Sequence, residues 1–330
     1  MSILVTGGAG FIGSHVVDEL IKQNETVIVL DDLSGGFLSN INPKANFIKG
    51  DVCDYELVKR IFNENEIEYL FHLAAYAAEG LSHFIKRFNY NNNLIGSVNL
   101  INQSIIHKVK CFVFTSSIAV YGKNQLPMTE ETKPMPEDSY GIAKYAVEQE
   151  LEVSHKMFGL NYIIFRPHNV YGERQNIGDK YRNVIGIFMN QILQNKPLTV
   201  FGDGEQSRAF SYIGDVAPVI ANSIKINEAH NDVFNIGADI PYTINQLIEK
   251  VKEVMGNNPE IKYLEPRNEV IHAYSSHKKA EAVFNISHKI NLESGLRKMA
   301  EWVKQHGAKA TKHFGEIEIE EKLPPVWKEI

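Results

Sequence analysis

A tyrosine and a lysine four residues apart, Tyr140 and Lys144 in the stretch SYGIAKY, are the first pair in the sequence that could do chemistry. Asp138 or Ser139 is a good N-cap for a helix that begins near Tyr140. Residues i and i+4 of a helix share one face, so the phenol and the ammonium group would point the same way. Such a pair fits a proton-transfer site, and it equally fits two solvated neighbours on a surface helix.

Two serines upstream favour the chemical interpretation. Residues 111–117 read CFVFTSS, an apolar run that predicts a strand ending at Ser116 and Ser117. A hydroxyl beside a tyrosine whose acidity is raised by a cation makes a proton relay to a substrate alcohol. We therefore expect this strand end to lie at the edge of a sheet, near Tyr140 and Lys144.

A glycine-rich turn follows the first predicted strand. The apolar residues 3–6 run directly into TGGAGFIGSHVVDEL, which contains Gly7, Gly10 and Gly13 and also the pattern Gly8-x-Gly10-x-x-Gly13. Glycines in this pattern allow a tight turn, close approach of the backbone to a pyrophosphate, and close packing of helix on strand. The N-terminus of the following helix attracts negative charge. The strand, turn and helix together predict a dinucleotide-binding site.

Aspartates at the ends of the next two strands fit the same site. Asp31 ends the second strand, 18 residues after Gly13, where dinucleotide folds place a ribose-binding acid. A carboxylate there accepts hydrogen bonds from both ribose hydroxyls and would repel a 2′-phosphate, which favours NAD over NADP. Asp51, at the end of the third strand, could accept a bond from the adenine amino group. The alternatives are a polar turn at Asp31-Asp32 and a helix cap at Asp51.

Short apolar runs alternate with longer amphipathic segments through the first half of the chain. Runs of Val, Ile, Leu and Phe at this spacing predict parallel strands covered on both faces, hence an α/β fold with a doubly wound parallel sheet. After Pro167 the loops lengthen, which predicts a smaller, partly interleaved C-terminal α/β domain. We assign residues 1–169 to the cofactor domain and 170–330 to the substrate domain, with a strand near 232–238 returning to the main sheet.

Composition narrows the function classes. A net charge of −6 without a Lys/Arg-rich block argues against a nucleic acid partner. No stretch approaches eighteen consecutive apolar residues and the N-terminus lacks a charged leader, so neither membrane insertion nor export is indicated. Only two cysteines occur, Cys53 and Cys111, which predicts a reducing, cytoplasmic location. The twelve histidines form no metal-binding motif, so no metal site is predicted.

The ordered motifs resemble a known family over essentially the whole chain. TGGAGFIG, strand-end Asp31, GDV at 50–52, HLAA at 72–75, SSIAVYG at 116–122 and YGIAK at 140–144 are similar to the extended short-chain dehydrogenase/reductase superfamily. Within it, the chain most resembles the nucleotide-sugar epimerase/dehydratase branch, especially UDP-glucose 4-epimerases. The resemblance implies a Rossmann-type sheet and NAD as a tightly held cofactor.

Residue by residue, the resemblance implies a catalytic centre and a cofactor site. It makes Ser117 the catalytic hydroxyl, Tyr140 the active-site base, and Lys144 the residue that holds the nicotinamide ribose and lowers the pKa of Tyr140. Asn93 matches a position of structural support. Besides Tyr140 and Lys144, the implied cofactor contacts are Gly7, Gly10, Phe11, Ile12, Asp31, Asp51, Val52, Leu73, Ala74 and Ala75.

The second half of the chain carries matches to substrate-binding positions. Two arginines in otherwise neutral loops, Arg208 and Arg267, make sense as partners of a dianionic diphosphate, because guanidinium forks fit phosphate oxygens. The alternative is ordinary surface charge. The substrate contacts that the resemblance implies for a UDP-sugar are Ser117, Asn169, Asn183, Val184, Arg208, Arg267 and Glu269.

The resemblance implies a reaction at C4 of the sugar. Hydride leaves C4 while Tyr140 removes the hydroxyl proton, and the resulting 4-keto sugar turns and is reduced on its other face. A 4,6-dehydratase shares the first step but needs a further acid–base pair, and Ile118-Ala119 stand where that subfamily commonly has Asp-Glu. Glu79 departs from the simplest 4-epimerase pattern. It leaves dehydratase and decarboxylase variants open, beside the interpretation of a solvent-facing loop glutamate.

Several properties stay open at this level. The sequence does not rank UDP-glucose, UDP-N-acetylglucosamine and UDP-glucuronate, and His168 is expected at the sugar pocket. A non-catalytic NAD-sensing protein is the second hypothesis, disfavoured because such proteins typically lose the Tyr/Lys pair that this chain retains. Helices near 92–106 and 140–157 have apolar faces, which the resemblance assigns to a homodimer contact and which equally fit packing on the sheet.

Overall fold

A fully parallel central sheet organises the fold of the computed structural model, which describes residues 2–267, 269–287, 289–311 and 313–328. In chain order the strands are β1 (Ser2–Thr6), β2 (Val27–Asp31), β3 (Asn46–Lys49), β4 (Ile67–His72), β5 (Cys111–Thr115), β6 (Tyr162–Pro167), β7 (Val170–Tyr171), β8 (Leu198–Phe201), β9 (Ser207–Ala209), β10 (Ser211–Tyr212), β11 (Asp232–Ile236), β12 (Pro241–Thr243), β13 (Ile261–Leu264) and β14 (His272–Ala273). The central sheet has the spatial order β11-β6-β5-β4-β1-β2-β3. The predicted doubly wound α/β fold is confirmed.

Helices cover both faces of this sheet. They are α1 (Phe11–Lys22), α2 (Tyr55–Glu64), α3 (Glu79–Ser82), α4 (Lys86–Tyr90), α5 (Gly96–Ile106), α6 (Ser139–Phe158), α7 (Val184–Leu193), α8 (Ile213–Asn222), α9 (Ile244–Met255), α10 (Lys278–Phe284), α11 (Leu292–His306) and α12 (Pro325–Lys328). Short 3₁₀ turns lie at Leu38–Asn40, Ile118–Tyr121, Ser223–Lys225 and Asn227–Ala229, and a π turn at Asn91–Ile95 joins α4 to α5.

The alternation of side chains along each strand explains the two layers. On β1, Ile3 and Val5 pack into the core under α1, α7, α8, α9 and α11. Leu4 points the other way, into the core under α2, α5 and α6. Because both faces are covered, the strands read as continuous apolar runs in the sequence.

Two helix starts test the capping predictions. Asp138 caps α6, since its carboxylate accepts a 2.8 Å hydrogen bond from the Gly141 N–H and the helix begins at Ser139. That prediction is confirmed. Asp54, and not Asp51, caps α2 through the Leu57 N–H, so the capping alternative for Asp51 is wrong.

The second half of the chain builds smaller sheets and also rejoins the first half. Strand β8 pairs with β13, β7 pairs with β10, and β9 lies between β12 and β14. Strand β11, within the predicted 232–238 range, pairs in parallel with β6, and α8 packs on α1. The division at residues 169 and 170 stays a prediction.

The chain's last described segment packs beside the cavity described below. Trp327 is buried and contacts the aromatic rings of Phe84, Tyr181 and Phe201. The Glu318 carboxylate accepts 2.8 Å hydrogen bonds from the N–H groups that open α4. This segment therefore packs behind Tyr181 and Phe201, which line the cavity.

Candidate active site

A cavity of about 450 Å³ opens at the carboxyl edge of the central sheet. The strand order reverses between β1 and β4, and such a reversal leaves a crevice where α/β sheets bind ligands. The cavity is lined by all the predicted site residues: Gly7, Gly10, Phe11, Ile12, Asp31, Asp51, Val52, Leu73, Ala74, Ala75, Ser117, Tyr140, Lys144, Asn169, Asn183, Val184, Arg208, Arg267 and Glu269. Residues from both halves of the chain thus face one space.

The glycine turn between β1 and α1 leaves no room for side chains. Gly7 has φ +71°, and a Cβ there would lie 2.6 Å from the Ala74 N atom at the end of β4. A Cβ on Gly13 would overlap the carbonyl oxygen of Gly7. Bare backbone therefore lines the cavity at the start of α1, as close approach of a pyrophosphate requires.

Asp31 is buried at the end of β2 and is bonded to this turn. Its carboxylate oxygens accept hydrogen bonds from the N–H groups of Ala9, at 2.9 Å, and Leu33, at 2.8 Å. Burial raises the pKa of Asp31, and these two bonds act against that rise. A carboxylate has about four acceptor positions, so capacity for two ribose hydroxyls remains.

Hydrogen bonds also hold two other parts of the cavity wall in place, at Asp51 and in the segment that continues from Leu73. Asp51 accepts a 2.8 Å bond from the Cys53 N–H and faces the cavity. Buried Asn93 accepts from the Tyr76 N–H at 2.9 Å and donates to the Tyr76 carbonyl at 3.2 Å. Asn93 thereby fastens the segment that continues from Leu73.

Three buried side chains form the predicted catalytic group. Tyr140, Ser117 and Lys144 have exposed fractions of 5%, 7% and 2%, and Ser117 is hydrogen-bonded to Tyr140. The Lys144 ammonium donates to the Thr115 carbonyl at 2.9 Å and lies 5.9 Å from the centre of the Tyr140 ring. The structure thus brings the group together, and the roles of its members stay predictions.

The electrostatics of this group follow from burial. Burial raises the pKa of Tyr140, the charge of Glu79 raises it further, and the Ser117 hydrogen bond lowers it. Burial lowers the pKa of Lys144 to about 7, against the influence of Glu148. The lysine is therefore poised between its charged and neutral forms near neutral pH.

A buried ionic network supports the catalytic group from behind. The Glu148 carboxylate, one helical turn after Lys144, accepts 2.9 and 2.5 Å bonds from the Arg166 guanidinium. The same carboxylate accepts a 2.5 Å bond from the Ser116 hydroxyl. Arg166 also donates to the Tyr121 hydroxyl at 2.8 Å. The network ties α6, the end of β5 and the end of β6 into one unit.

The two predicted arginines lie together on the substrate side. Glu269 pairs with Arg267 at 3.0 Å and with Arg208 at 3.4 Å. The Arg267 guanidinium lies 4.8 Å from the centre of the Phe201 ring, and its buried Nε has no hydrogen-bond partner among the described residues. Both arginines line the cavity, and guanidinium groups there fit an anionic ligand.

Two asparagines with positive φ shape the floor of the substrate side. Asn169, with φ +42°, lies in the connection between β6 and β7. Asn183, with φ +50°, caps α7 by accepting from the Ile185 N–H, and its amide donates to the Val170 carbonyl. Val184 then begins the helix. Asparagine tolerates this backbone conformation better than most residues.

Sequence reasoning missed several residues of this cavity. Arg182 pairs with Asp179 at 2.7 Å and stacks 4.9 Å from the centre of the Tyr76 ring. Thr115 Oγ1 and Gln175 Oε1 are buried without partners among the described residues. Gln175 and Arg182 lie in the loop at 173–182, which the sequence predicts to set the pocket volume without singling out either residue. No local pattern marks Thr115 as the end of a strand that faces a ligand.

Glu79 and His168 both line the cavity. Glu79 begins α3 and so does not lie in a loop, but its side chain is exposed at the cavity, so the solvent-facing interpretation is not contradicted. Desolvation in the cavity raises the pKa of Glu79 to about 7, with Asp138 acting in the same direction. His168 lines the cavity, and its place at the sugar stays a prediction.

His168 is one end of a buried histidine pair. Its Nδ1 donates to the Ala209 carbonyl at 3.0 Å, and its Nε2 lies 2.8 Å from Nε2 of His277. His277 Nδ1 lies 2.5 Å from the carboxylate of Asp239. Burial lowers the pKa of His168 to about 3, so the neutral ring can accept a hydrogen bond at Nε2. Partial burial acts to raise the pKa of Asp239, but bonds from His277 and Lys289 hold it well below its usual range.

None of the helices in the described ranges is long and apolar enough to cross a membrane. Within the same residues, no group of three or more His, Cys, Asp or Glu side chains is arranged to hold a metal ion. Cys53 and Cys111 are free thiols.

Comparisons with known proteins agree on one family. A model of the NAD dependent epimerase/dehydratase family matches residues 3–237. The putative UDP-glucose 4-epimerase of Methanocaldococcus jannaschii is 38% identical over 307 residues, which cover 92% of this chain and 99% of that protein. The crystal structure of a UDP-glucose 4-epimerase with UDP-glucose from Thermotoga maritima is 39% identical, has a TM-score of 0.87, and matches 93% of this chain and 99% of its own. A UDP-glucuronic acid 4-epimerase from Bacillus cereus, in complex with UDP-glucuronic acid and NAD, is 29% identical with a TM-score of 0.85 over 93% and 100% of the two chains.

Proposed function

The chain belongs to the NAD dependent epimerase/dehydratase family, and we propose that it inverts C4 of a UDP-hexose of the UDP-glucose/UDP-galactose type. The observation that carries this proposal is the shared cavity, in which Ser117, Tyr140 and Lys144 face the same space as Arg208 and Arg267. A proton relay and a diphosphate clamp are the two parts that such a reaction needs.

NAD is the cofactor, and the residues of the first half fit it. The bare backbone of the glycine turn suits the pyrophosphate, the Asp31 carboxylate suits a ribose, and the unpartnered Thr115 hydroxyl faces the end of the cavity near Lys144. When bound, NAD supplies a hydride acceptor and, in its reduced form, the donor. We propose that residues 1–169 hold it and that residues 170–330 hold the UDP-sugar.

Tyr140 moves the proton of the sugar hydroxyl in this proposal. As a phenolate it removes the C4 hydroxyl proton, and as a phenol it returns a proton when the keto group is reduced. Ser117 is bonded to Tyr140 and is placed to hold the sugar oxygen between two hydroxyls. The charged form of Lys144 stabilises the phenolate, since an opposite charge favours ionisation.

The arginines keep the nucleotide in place while the sugar turns. Arg208 and Arg267 share Glu269 as a partner, which leaves the net charge of this group positive. A diphosphate is drawn to that charge and to the unpaired Arg267 Nε. With the diphosphate fixed, the 4-keto sugar can turn, so that first one face and then the other lies toward the position from which hydride is transferred.

Elimination of water from the sugar is the less favoured reaction. Ile118 and Ala119, directly after Ser117, are buried and apolar. They supply no acid or base beside the catalytic hydroxyl, and a dehydratase needs such a pair. The cavity therefore supports epimerisation better than dehydration.

Product analysis by proton NMR tests the proposal. The protein as purified, without added NAD, is mixed in turn with UDP-glucose, UDP-N-acetylglucosamine and UDP-glucuronate. We expect the C4 epimer of UDP-glucose to form, and Tyr140→Phe to lower the rate by at least about a hundredfold. Tyr145→Phe is the control, because Tyr145 lies on the same helix outside the cavity lining. A 4-keto-6-deoxy or decarboxylated product would overturn the proposal.

We also propose a homodimer in the cytoplasm. Apolar side chains lie exposed on α5 and α6 and on the turn that leads into α5: Ile95, Ile106, Ile142, Val153 and Met157. A second copy of these helices would bury them. The free thiols of Cys53 and Cys111 support the reducing location.

A further inference from the structure

Glu79 lies between the proposed proton-transfer group at Tyr140 and the two arginines proposed to bind the diphosphate. It is the first residue of α3, and α3 packs against the start of α6 through the Ser82 hydroxyl, which lies 3.5 Å from the Asp138 carboxylate. On its other side, a Cβ placed on neighbouring Gly80 would lie 3.7 Å from the Arg267 guanidinium. Glu79 therefore faces the cavity between the Tyr140 end and the arginine pair.

The carboxyl group of Glu79 has no hydrogen-bond or ion-pair partner among the described residues. The other carboxylates of this wall are engaged: Asp138 accepts from the Gly141 N–H at 2.8 Å, Glu269 pairs with both arginines, and Asp179 pairs with Arg182. Within the described residues, the Glu79 side chain makes neither a hydrogen bond nor an ion pair. The Glu79 side chain is exposed at the cavity, so its carboxyl group is available to bond a ligand there.

The position of this group determines which part of a ligand it meets. With the diphosphate at the arginines and C4 at Tyr140, the sugar ring and its C5 substituent lie along the wall that carries Glu79. A carboxyl group exchanges hydrogen bonds with sugar hydroxyls. In its ionised form it repels a second carboxylate, and the repulsion strengthens where a bound ligand excludes water from the cavity.

We propose that Glu79 is a specificity-determining residue that selects UDP-sugars with an uncharged hexose and rejects UDP-uronates. This inference rests on the proposed function, because the orientation of the sugar comes from it. The charged groups that face Glu79 are Asp138 and Glu269, which oppose its ionisation, and Arg208 and Arg267, which favour it. Its pKa of about 7 makes the rejection depend on pH, weak where Glu79 is protonated and strong where it is ionised.

Binding measurements test this without requiring turnover. The NAD-loaded protein is titrated calorimetrically with UDP-glucose and with UDP-glucuronate at pH 5.5 and 8.5. The two ligands share the nucleotide, so the ratio of their dissociation constants isolates the C5 substituent. We expect UDP-glucuronate to bind about a hundredfold more weakly at pH 8.5 and about tenfold more weakly at pH 5.5.

Charge-removing variants complete the test. Glu79→Gln should bring the ratio below about tenfold at both pH values, apart from a small change from the titration of Asp138. Glu137→Gln is the matched control, since this neighbour of Asp138 is exposed and outside the cavity lining. Its ratio should equal that of the unmodified protein.

Three outcomes overturn the inference. They are equal affinities for the two ligands at pH 8.5 in the unmodified protein, an unchanged ratio in Glu79→Gln, and a dehydrated product that Glu79→Gln no longer forms. The pH series on the unmodified protein decides the matter even if the variant does not fold. If the ratios are as expected but no sugar is epimerised, the proposed reaction fails while the selectivity of Glu79 stands.

Discussion

Replacing Glu148 by glutamine tests the ionic network that supports the catalytic group. Glu148 and Arg166 have exposed fractions of 5% and 4%, and the carboxylate holds three hydrogen bonds from Arg166 and Ser116. The amide removes the charge and turns one acceptor oxygen into a donor that faces the guanidinium. Arg166 is then a buried cation without a counter-charge.

The structure sets the expected size of the effect. Breaking a buried ion pair by removing one partner costs about 3–5 kcal/mol, which raises the unfolding equilibrium constant by about two to nearly four orders of magnitude. Glu152→Gln is the matched control, because it lies one turn further along α6 and pairs at 2.5 Å with Lys156 in a largely exposed position. That pair is worth about 0.5 kcal/mol or less.

Urea denaturation and a pH–rate profile are the two assays. The free energy of unfolding should fall by about 3–5 kcal/mol in Glu148→Gln and by less than about 1 kcal/mol in Glu152→Gln. Glu148 raises the pKa of Lys144, so its loss should lower that pKa further below about 7. The charged lysine is then scarcer at pH 7, and activity should recover toward lower pH. Equal stabilities of the two variants, within about 0.5 kcal/mol, would refute the reasoning.

Three further predictions concern the turn, the histidine pair and the helix faces. Gly13→Ala should leave the protein without bound NAD, measured by chromatography of the denatured supernatant, because the new Cβ overlaps a carbonyl of the turn. His277→Gln should lower the free energy of unfolding by about 1–3 kcal/mol in urea, since it leaves Asp239 or the second histidine without its partner. Met157→Lys should convert a dimer to a monomer in sedimentation runs, whereas Met135→Lys, equally exposed but off both helices, should not.

The strands and the glycine turn were predictable because their signals are local. Strands β1, β2, β5 and β6 are buried on both faces, so each reads as an apolar run without help from distant residues. The start of α6 was predictable from its cap, Asp138. The small strands β9, β12 and β14 have only two or three residues each, too few to show a period of two.

The supports of the site were not predictable, because they depend on folding. Glu148 sits in an amphipathic helix and reads as surface charge, yet it pairs with Arg166 on a different element. His168 and His277 are 109 residues apart in the chain. Glu79 looked like a loop residue, whereas the structure places it at the start of α3 beside the cavity. The candidate catalytic residues came from motifs, whereas the electrostatics around them required the tertiary structure.

The origin of the hydrogen at C4 tests the central claim most directly. UDP-glucose labelled with deuterium at C4 is incubated with the protein in ordinary water, and the C4 epimer is examined by NMR and mass spectrometry. A proton relay at Tyr140 combined with hydride transfer predicts an epimer that keeps its deuterium at C4. An epimer that carries hydrogen from the solvent at C4, or a failure to form any epimer, would contradict the account.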